Sequence, residues 1–239
     1  MWNKLTNHVF YTNNDPETDR PCVGYVQGEK AGLLMDAGNS PAHAELLKKG
    51  LAEKGLPEPD YIALTHAHWD HTYGLCGWKG VSFAGKKTNA ILGKMKAWQW
   101  DDASMKKRIE NGEDSEFCFI HIRKEYPDRS LISVKPADIS LQGELEIDLG
   151  GVMVVLKEVT SPHAADCVVF SVPEDGLLFL GDSYCSVPVG DDWVYDKDLL
   201  GKYIDWLEDE DFVVAIKGHH PPQTKAELLA ELKADYAAL

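Results

Sequence analysis

The sequence predicts an α/β fold with two strand-rich halves. Three observations carry this reading. Short apolar runs bounded by turn residues recur along the chain. Longer segments with apolar residues at helical spacing lie between them. The order of strands, helix, strand and helices returns in shorter form as strands, helix, strand and helix.

Taken in order, Val9-Phe10-Tyr11, Val23-Gly24-Tyr25-Val26 and Leu33-Leu34-Met35 are strand-like, and Asn13-Asn14-Asp15-Pro16 and Gly28-Glu29-Lys30 separate them as turns, so they read as a meander. Ser40-Pro41 opens a helix, with serine as N-cap and proline in the first turn, where its missing N–H costs nothing. Leu46, Leu47 and Leu51 recur at helical spacing, and Gly55 and Pro57 end the segment. Tyr61-Ile62-Ala63-Leu64 is a short buried strand. Residues 86–126 are rich in Lys, Glu and Asp, with Trp98, Trp100, Met105, Ile109, Phe117 and Tyr126 interspersed, and predict two or three helices broken near Asn111-Gly112. Two readings stand for them: a solvated layer packing its aromatic stripe on the core, or a cap whose aromatics line a pocket. Strands follow at 139–141, 145–147, 152–156, 167–172 and 177–180, then a helix over 195–208, a buried strand over 212–216 and a terminal helix over 225–239. The halves share a plan without a residue-level repeat, and no Gly/Ser/Pro-rich linker parts them. One domain over 1–239, with a helical insertion at about 86–126, is the economical expectation.

Hydrophobic residues make up 44% of the chain and charged ones 26%, an ordinary globular balance that supports a sizeable core without disulfides. Cys22, Cys76, Cys118, Cys167 and Cys185 are scattered with no C-x-x-C pair, as expected of reduced thiols. The first residues lack a charged n-region followed by an apolar one, and no apolar run approaches the roughly 18 residues of a membrane span. A cytoplasmic protein with no membrane partner is therefore expected. The net charge of −15 repels phosphate backbones and concentrates cations, so nucleic acid is not an expected partner either. A homo-oligomer is left open, and Trp78 and Trp193 are open between interface, pocket and core.

The run Thr65-His66-Ala67-His68-Trp69-Asp70-His71 directly follows the apolar strand at 61–64 and places three imidazoles and a carboxylate within six residues. These are the ligands that borderline divalent metals prefer. Four of them this close together would crowd one tetrahedral ion, so two adjacent ions and a hydrolytic two-metal site are predicted. His163 in Thr160-Ser161-Pro162-His163, Asp182 in Leu180-Gly181-Asp182-Ser183 and His219 in Lys217-Gly218-His219-His220 each follow the same plan of buried strand, sharp turn and ligand-type residue. Together they make seven ligands, enough for two four- to five-coordinate ions sharing a carboxylate and a solvent.

In this arrangement the chain resembles the metallo-β-lactamase superfamily. Asp36 in Met35-Asp36-Ala37-Gly38 matches its first motif and the His-x-His-x-Asp-His run its second, and His163, Asp182 and His219 match the third, fourth and fifth, in order. The resemblance implies a four-layer αββα sandwich, two mixed β-sheets flanked by helices, with the metals at one edge. It assigns His66, His68 and His163 to one ion, and Asp70, His71 and His219 to the other, with Asp182 bridging. Asp36 is implied to order the loop that carries the histidines. The cofactor implied is a pair of divalent ions, zinc foremost, with iron or manganese as the other candidates. His8, His43 and His121 have no ligand-like neighbours and read as ordinary.

The chain departs from the family pattern at Pro162, where glycine is common, and at Thr72-Tyr73, where two glycines are common. Tyr73 thus becomes a candidate substrate contact, as does His220 beside a ligand. Position 68 is histidine, unlike the glutamate of the flavodiiron oxygen reductases. The activity implied is hydrolysis by a metal-bridging hydroxide, with Asp70 as the catalytic residue that orients it and carries its proton to the leaving group. The expected substrate is a small-molecule ester, thioester or lactone. A small-molecule phosphodiesterase is the runner-up, and a mononuclear iron oxygenase or a metal-bound sensor is the non-hydrolytic alternative.

Overall fold

The structure is a computed structural model and describes residues 2–189 and 192–239. The first sheet has seven strands in sequence order: β1 (Trp2–Lys4), β2 (Val9–Thr12), β3 (Gly24–Gln27), β4 (Gly32–Met35), β5 (Tyr61–Leu64), β6 (Val81–Gly85) and β7 (Ile139–Leu141). Strands β1 to β4 form an antiparallel meander, and β4 to β7 run parallel. Helix α1 (Pro41–Glu53) crosses from β4 to β5, and the short helix α2 (Trp69–Thr72) follows β5. Helices α3 (Lys86–Met95), α4 (Asp102–Glu110) and α5 (Glu116–Glu125) lie between β6 and β7.

The second sheet contains β8 (Glu144–Asp148), β9 (Met153–Glu158), β10 (Val168–Val172) and β11 (Leu177–Gly181). A separate hairpin, β12 (Val187–Val189) and β13 (Asp192–Val194), follows, then α6 (Lys197–Asp209), β14 (Val214–Lys217), β15 (Gln223–Thr224) and α7 (Lys225–Ala238). The order in the second sheet is β15-β14-β11-β10-β9-β8, with β11 and β14 parallel across α6 and the other pairs antiparallel.

Side-chain alternation explains why the central strands are apolar at every position. In β4, Leu33 and Met35 point between the sheets and Leu34 points outward, beneath α1. In β11, Leu177 and Phe179 face inward while Leu178 and Leu180 face α6 and α7. Strands covered on both faces need apolar residues on both. Each large side chain so buried contributes about 1.5–3 kcal/mol relative to exposure. Between the sheets Phe170 and Phe179 stack with centroids 5.7 Å apart. The result is the four-layer αββα sandwich that the resemblance implied.

Local signals account for the helix ends. Ser40 Oγ accepts the His43 N–H at 2.9 Å, and Gly55 sits at φ 71° after α1. Gly112, at φ 71°, follows α4 at the predicted break. Thr224 and Glu227 form a reciprocal capping box at α7.

One strand lies elsewhere than its sequence position suggests. Residues 139–141 join the first sheet, because Asp138 Oδ2 accepts both the N–H (3.0 Å) and the Oγ–H (2.7 Å) of Ser82 and draws β7 alongside β6. The short β1, β15, α2 and the 187–194 hairpin had no sequence expectation. Among the described residues no helix is long and apolar enough to cross a membrane.

Candidate metal centre

Four strand ends meet at one edge of the sandwich. Asp36 follows β4, the 66–71 run follows β5, Asp182 follows β11 and His219 follows β14. The loop after β9 supplies His163. The two sheets are joined there by the Val168 N–H, which donates to the Thr65 carbonyl at 2.7 Å, and by the Cys22 N–H, which donates to the Gly218 carbonyl at 2.6 Å.

The seven predicted ligands converge as two groups: His66, His68 and His163, and Asp70, His71, Asp182 and His219. His163 Nε2 lies 3.0 Å from His68 Nδ1. Asp70 Oδ2 lies 2.9 Å from His71 Nε2 and 3.1 Å from His219 Nε2. Asp182 Oδ2 reaches both groups, at 3.4 Å from His71 Nε2 and from His219 Nε2 and at 3.8 Å from His163 Nε2.

The remaining ring nitrogens fix how the imidazoles face. His66 Nδ1–H donates to Thr65 Oγ1 at 3.0 Å, and Thr65 Oγ1–H donates to Asp36 Oδ2 at 2.9 Å. His71 Nδ1–H donates to Asp36 Oδ2 at 2.7 Å. His163 Nδ1–H donates to the Ser186 carbonyl at 3.2 Å. Each bond leaves Nε2 with its electron pair aimed at the centre, the tautomer a metal requires. Asp36 also accepts the Thr65 N–H at 2.8 Å, at the start of the loop, from a left-handed turn at φ 67°.

These residues fit divalent metal ions. His66 Nε2, His71 Nε2 and Asp182 Oδ1 are buried and make no hydrogen bond. Such orphaned atoms are costly unless another partner satisfies them. Burial and neighbouring imidazoles hold His66 well below the ordinary histidine value and push His163 down to about 4, so both are neutral ligands at pH 7. Burial also works against a charge on His71 and His219, but Asp70 and Asp182 outweigh it and hold both well up. The same imidazoles keep Asp70 and Asp182 ionised against their own burial. Protons thus occupy positions where a cation would serve the same carboxylates, the usual competition between metal and proton. Gly218 has a steric role, since a Cβ there would collide with Asp182 Oδ1.

A cavity of about 430 Å³ opens over both groups. His220 lines it, with Nδ1 2.7 Å from Tyr184 Oη, and burial and Lys217 lower its pKa. Tyr73 does not line it. Its ring is buried in the core against Trp69 and Trp100, and its hydroxyl is directed to Met95 Sδ at 3.9 Å. The tight 3-10 turn at 73–77 aims this side chain away from the metal groups, which corrects the expectation of a substrate contact. Trp78 is core, with Nε1–H donating to the Ala37 carbonyl, and Trp193 lines the cavity. Within the 86–126 segment, Met105, Phe119 and Ile122 pack beneath the helices, whereas Phe117 reaches the cavity. Both readings of that segment are thus partly met.

Three supporting residues were not anticipated. Asp166 Oδ2 accepts the Ala67 N–H at 3.0 Å and so pins the backbone between His66 and His68. Ser161 Oγ accepts the His163 N–H at 2.9 Å, a turn that Ser-Pro-His could have signalled. Asp19, at φ 54°, sets Oδ1 3.8 Å from His219 Nδ1, and burial followed by Asp70 pushes its carboxyl up to about 7.

Comparison with known proteins agrees with this geometry. The family model of the metallo-beta-lactamase superfamily matches residues 20–237. A metallo-beta-lactamase family protein from Thermus thermophilus superposes with a TM-score of 0.69 at 24% identity, covering 98% of this chain and 81% of that one. An archaeal superfamily protein from Sulfolobus tokodaii gives 0.59 at 22%, covering 96% and 86%. The DIM-1 metallo-beta-lactamase gives 0.63 at 19%, covering 100% and 97%. Comparison with curated proteins yields no match. With the five motifs in order, a double-sheet sandwich and a His/Asp cluster at its edge, the chain belongs to the metallo-beta-lactamase superfamily.

Proposed function

We propose that the chain is a dinuclear metal-dependent hydrolase of small-molecule esters, thioesters or lactones. Members of the superfamily are generally metal-dependent hydrolases. The observation that carries the dinuclear reading is the position of Asp182 Oδ2, within 3.8 Å of His163 Nε2 and 3.4 Å of His71 and His219 Nε2. His66, His68 and His163 would hold one ion and Asp70, His71 and His219 the other, with Asp182 shared. When bound, two such ions supply Lewis acidity and an ionised water near neutral pH; zinc suits the ligand set, and iron or manganese would also be accepted.

The side chains do the rest. Asp70 would orient the attacking water through its carboxylate and take its proton. It then returns that proton to the leaving oxygen or sulfur as the acyl carbon bond breaks, so acid and alcohol or thiol are released. Tyr184 and His220 lie on the cavity wall as candidate contacts for the substrate oxygen.

The choice of acyl over phosphoryl substrates rests on charge. Among the described lining residues there is no lysine or arginine, while Asp19, Asp70, Asp182 and Glu231 are present. Phosphodiester sites typically add cationic donors to stabilise the extra oxygens. The test is a panel of esters, thioesters, lactones and phosphodiesters, run before and after chelation. Chelator-sensitive hydrolysis of an acyl substrate that is lost on joint replacement of His66 and His68 by alanine supports the reading. Turnover and metal content unchanged in that variant would refute it.

A further inference from the structure

Phe117 and Trp193 meet across the cavity mouth yet stay open to solvent, at 37% and 55% exposure. Their rings form an edge-to-face pair with centroids 5.7 Å apart. They come from unrelated parts of the chain, and each is held in place. Phe117 lies in the first turn of α5 and packs on His121 at 4.1 Å. Ser115 Oγ caps that helix by accepting the Cys118 N–H at 3.2 Å. Just before the cap, Asp114 lies 3.8 Å from Arg108 Nε, and the Arg108 guanidinium rests on Trp98 and Trp100 at 4.4 and 4.8 Å. This wall is therefore braced from behind by a buried cation on two indoles.

Trp193 stands on the hairpin. The register pairs Pro188 with Trp193, so both project from one face of the ribbon, and both line the cavity. Val187 and Val194 form the neighbouring pair and project from the opposite face. Just after the hairpin, Tyr195 Oη–H donates to the Tyr184 carbonyl at 3.1 Å.

The charges inside point the same way. Lys217 lies close by, but it is buried, both Glu231 oxygens accept from its Nζ at 3.2 Å, and it covers the Tyr184 ring at 5.0 Å. It neutralises Glu231 and is not offered to a ligand. A charged group on a substrate away from the metal ligands would meet no cationic side chain among the described lining residues. The unused surface at the mouth is aromatic, and an apolar ligand group would cover it.

Resting on the hydrolase reading of this site, we propose that the substrate is uncharged and carries an apolar acyl chain or ring, and that Phe117 and Trp193 are its specificity-determining residues. The reacting carbonyl lies at the metal ligands and the apolar part lies against the two rings. Each added methylene then raises kcat/KM about fourfold until the cavity is filled.

The experiment uses the metal-loaded full chain and p-nitrophenyl esters from acetate to decanoate. Alongside, 2-decanone and 2-butanone, which have no hydrolysable bond, are titrated by calorimetry. The wild type should show kcat/KM rising with chain length and should bind 2-decanone at least tenfold more tightly than 2-butanone. Phe117→Ala and Trp193→Ala should flatten the chain-length slope, lower decanoate turnover far more than acetate turnover, leave metal content unchanged, and weaken 2-decanone about tenfold. Trp193→Phe should restore most of the preference. A flat wild-type series, or equal 2-decanone binding by the wild type and the double alanine variant, overturns the proposal even if short esters are cleaved. Tight 2-decanone binding without cleavage of any acyl substrate overturns the hydrolase reading and the substrate class, and leaves only an apolar subsite.

Discussion

Asp36 Oδ2 lies 2.7 Å from His71 Nδ1, and both side chains are fully buried. Asp36 also holds the backbone N–H and hydroxyl of Thr65, through which it acts on His66. One carboxylate outside the ligand set thereby orients an imidazole in each of the two groups. The left-handed turn at φ 67° costs about 1 kcal/mol for a non-glycine residue, and asparagine tolerates it nearly as well.

Replacing Asp36 with alanine leaves the Thr65 and His71 donors buried without an acceptor. A stability loss of about 2–4 kcal/mol is expected in urea denaturation. Asp36→Asn keeps the turn and an acceptor but removes the charge, so it should fold nearly as well and bind metal about 10- to 100-fold more weakly by chelator competition. Unchanged affinity in Asp36→Asn would show that the carboxylate does not tune the ligands.

Gly218→Ala sets a methyl group against Asp182 Oδ1. The carboxylate must shift, at a cost of about 1–3 kcal/mol. Weaker binding of at least one ion equivalent is expected in a metal titration. Full stoichiometry at wild-type affinity would mean that Asp182 has room to move.

His43 is buried, approached by the Asn39 N–H at 3.4 Å, and burial followed by Arg20 pushes its pKa from 6.5 down to about 3. The unfolded chain protonates this ring below about pH 6.5 while the folded chain does not. Stability is thus lost as pH falls from 6.5 towards 3, at up to about 1.4 kcal/mol per pH unit from this residue, and is unaffected by it above 6.5. His43→Gln should show a shallower loss between pH 6 and 4 in parallel denaturation curves. Identical slopes would contradict the buried neutral imidazole.

Chelation leaves orphaned buried atoms at His66, His71 and Asp182. The melting temperature should fall by several degrees on metal removal and recover on adding back a divalent ion, in proportion to the logarithm of its excess. A melting temperature indifferent to chelator would separate the cluster from any metal.

Strands buried on both faces, such as 33–35, 61–64 and 177–180, were legible because every position must be apolar. The candidate ligands at 66–71, 182 and 219 were legible because each directly follows a largely buried strand, whereas His163 stands in the loop after the half-buried β9. The sheet to which 139–141 belongs was not, since pairing through Asp138 and Ser82 spans 56 residues. The hairpin lacked a signal because much of it is exposed: Val189 and Trp193 are 59% and 55% accessible. Asp19 and Asp166 reach the centre from loops distant in sequence, so neither carries a local pattern. Tyr73 sits beside the motif in sequence but points the other way, because the direction of a side chain in a tight turn depends on backbone angles that neighbouring residue types leave open.

The most direct test is elemental analysis of the purified chain beside its His66→Ala/His68→Ala and Asp182→Ala variants. Two divalent ions per wild-type chain are predicted, with about one lost in the double variant and both weakened in Asp182→Ala. Two ions retained in every variant, or none in the wild type after incubation with excess zinc, iron or manganese, would contradict the two-ion centre.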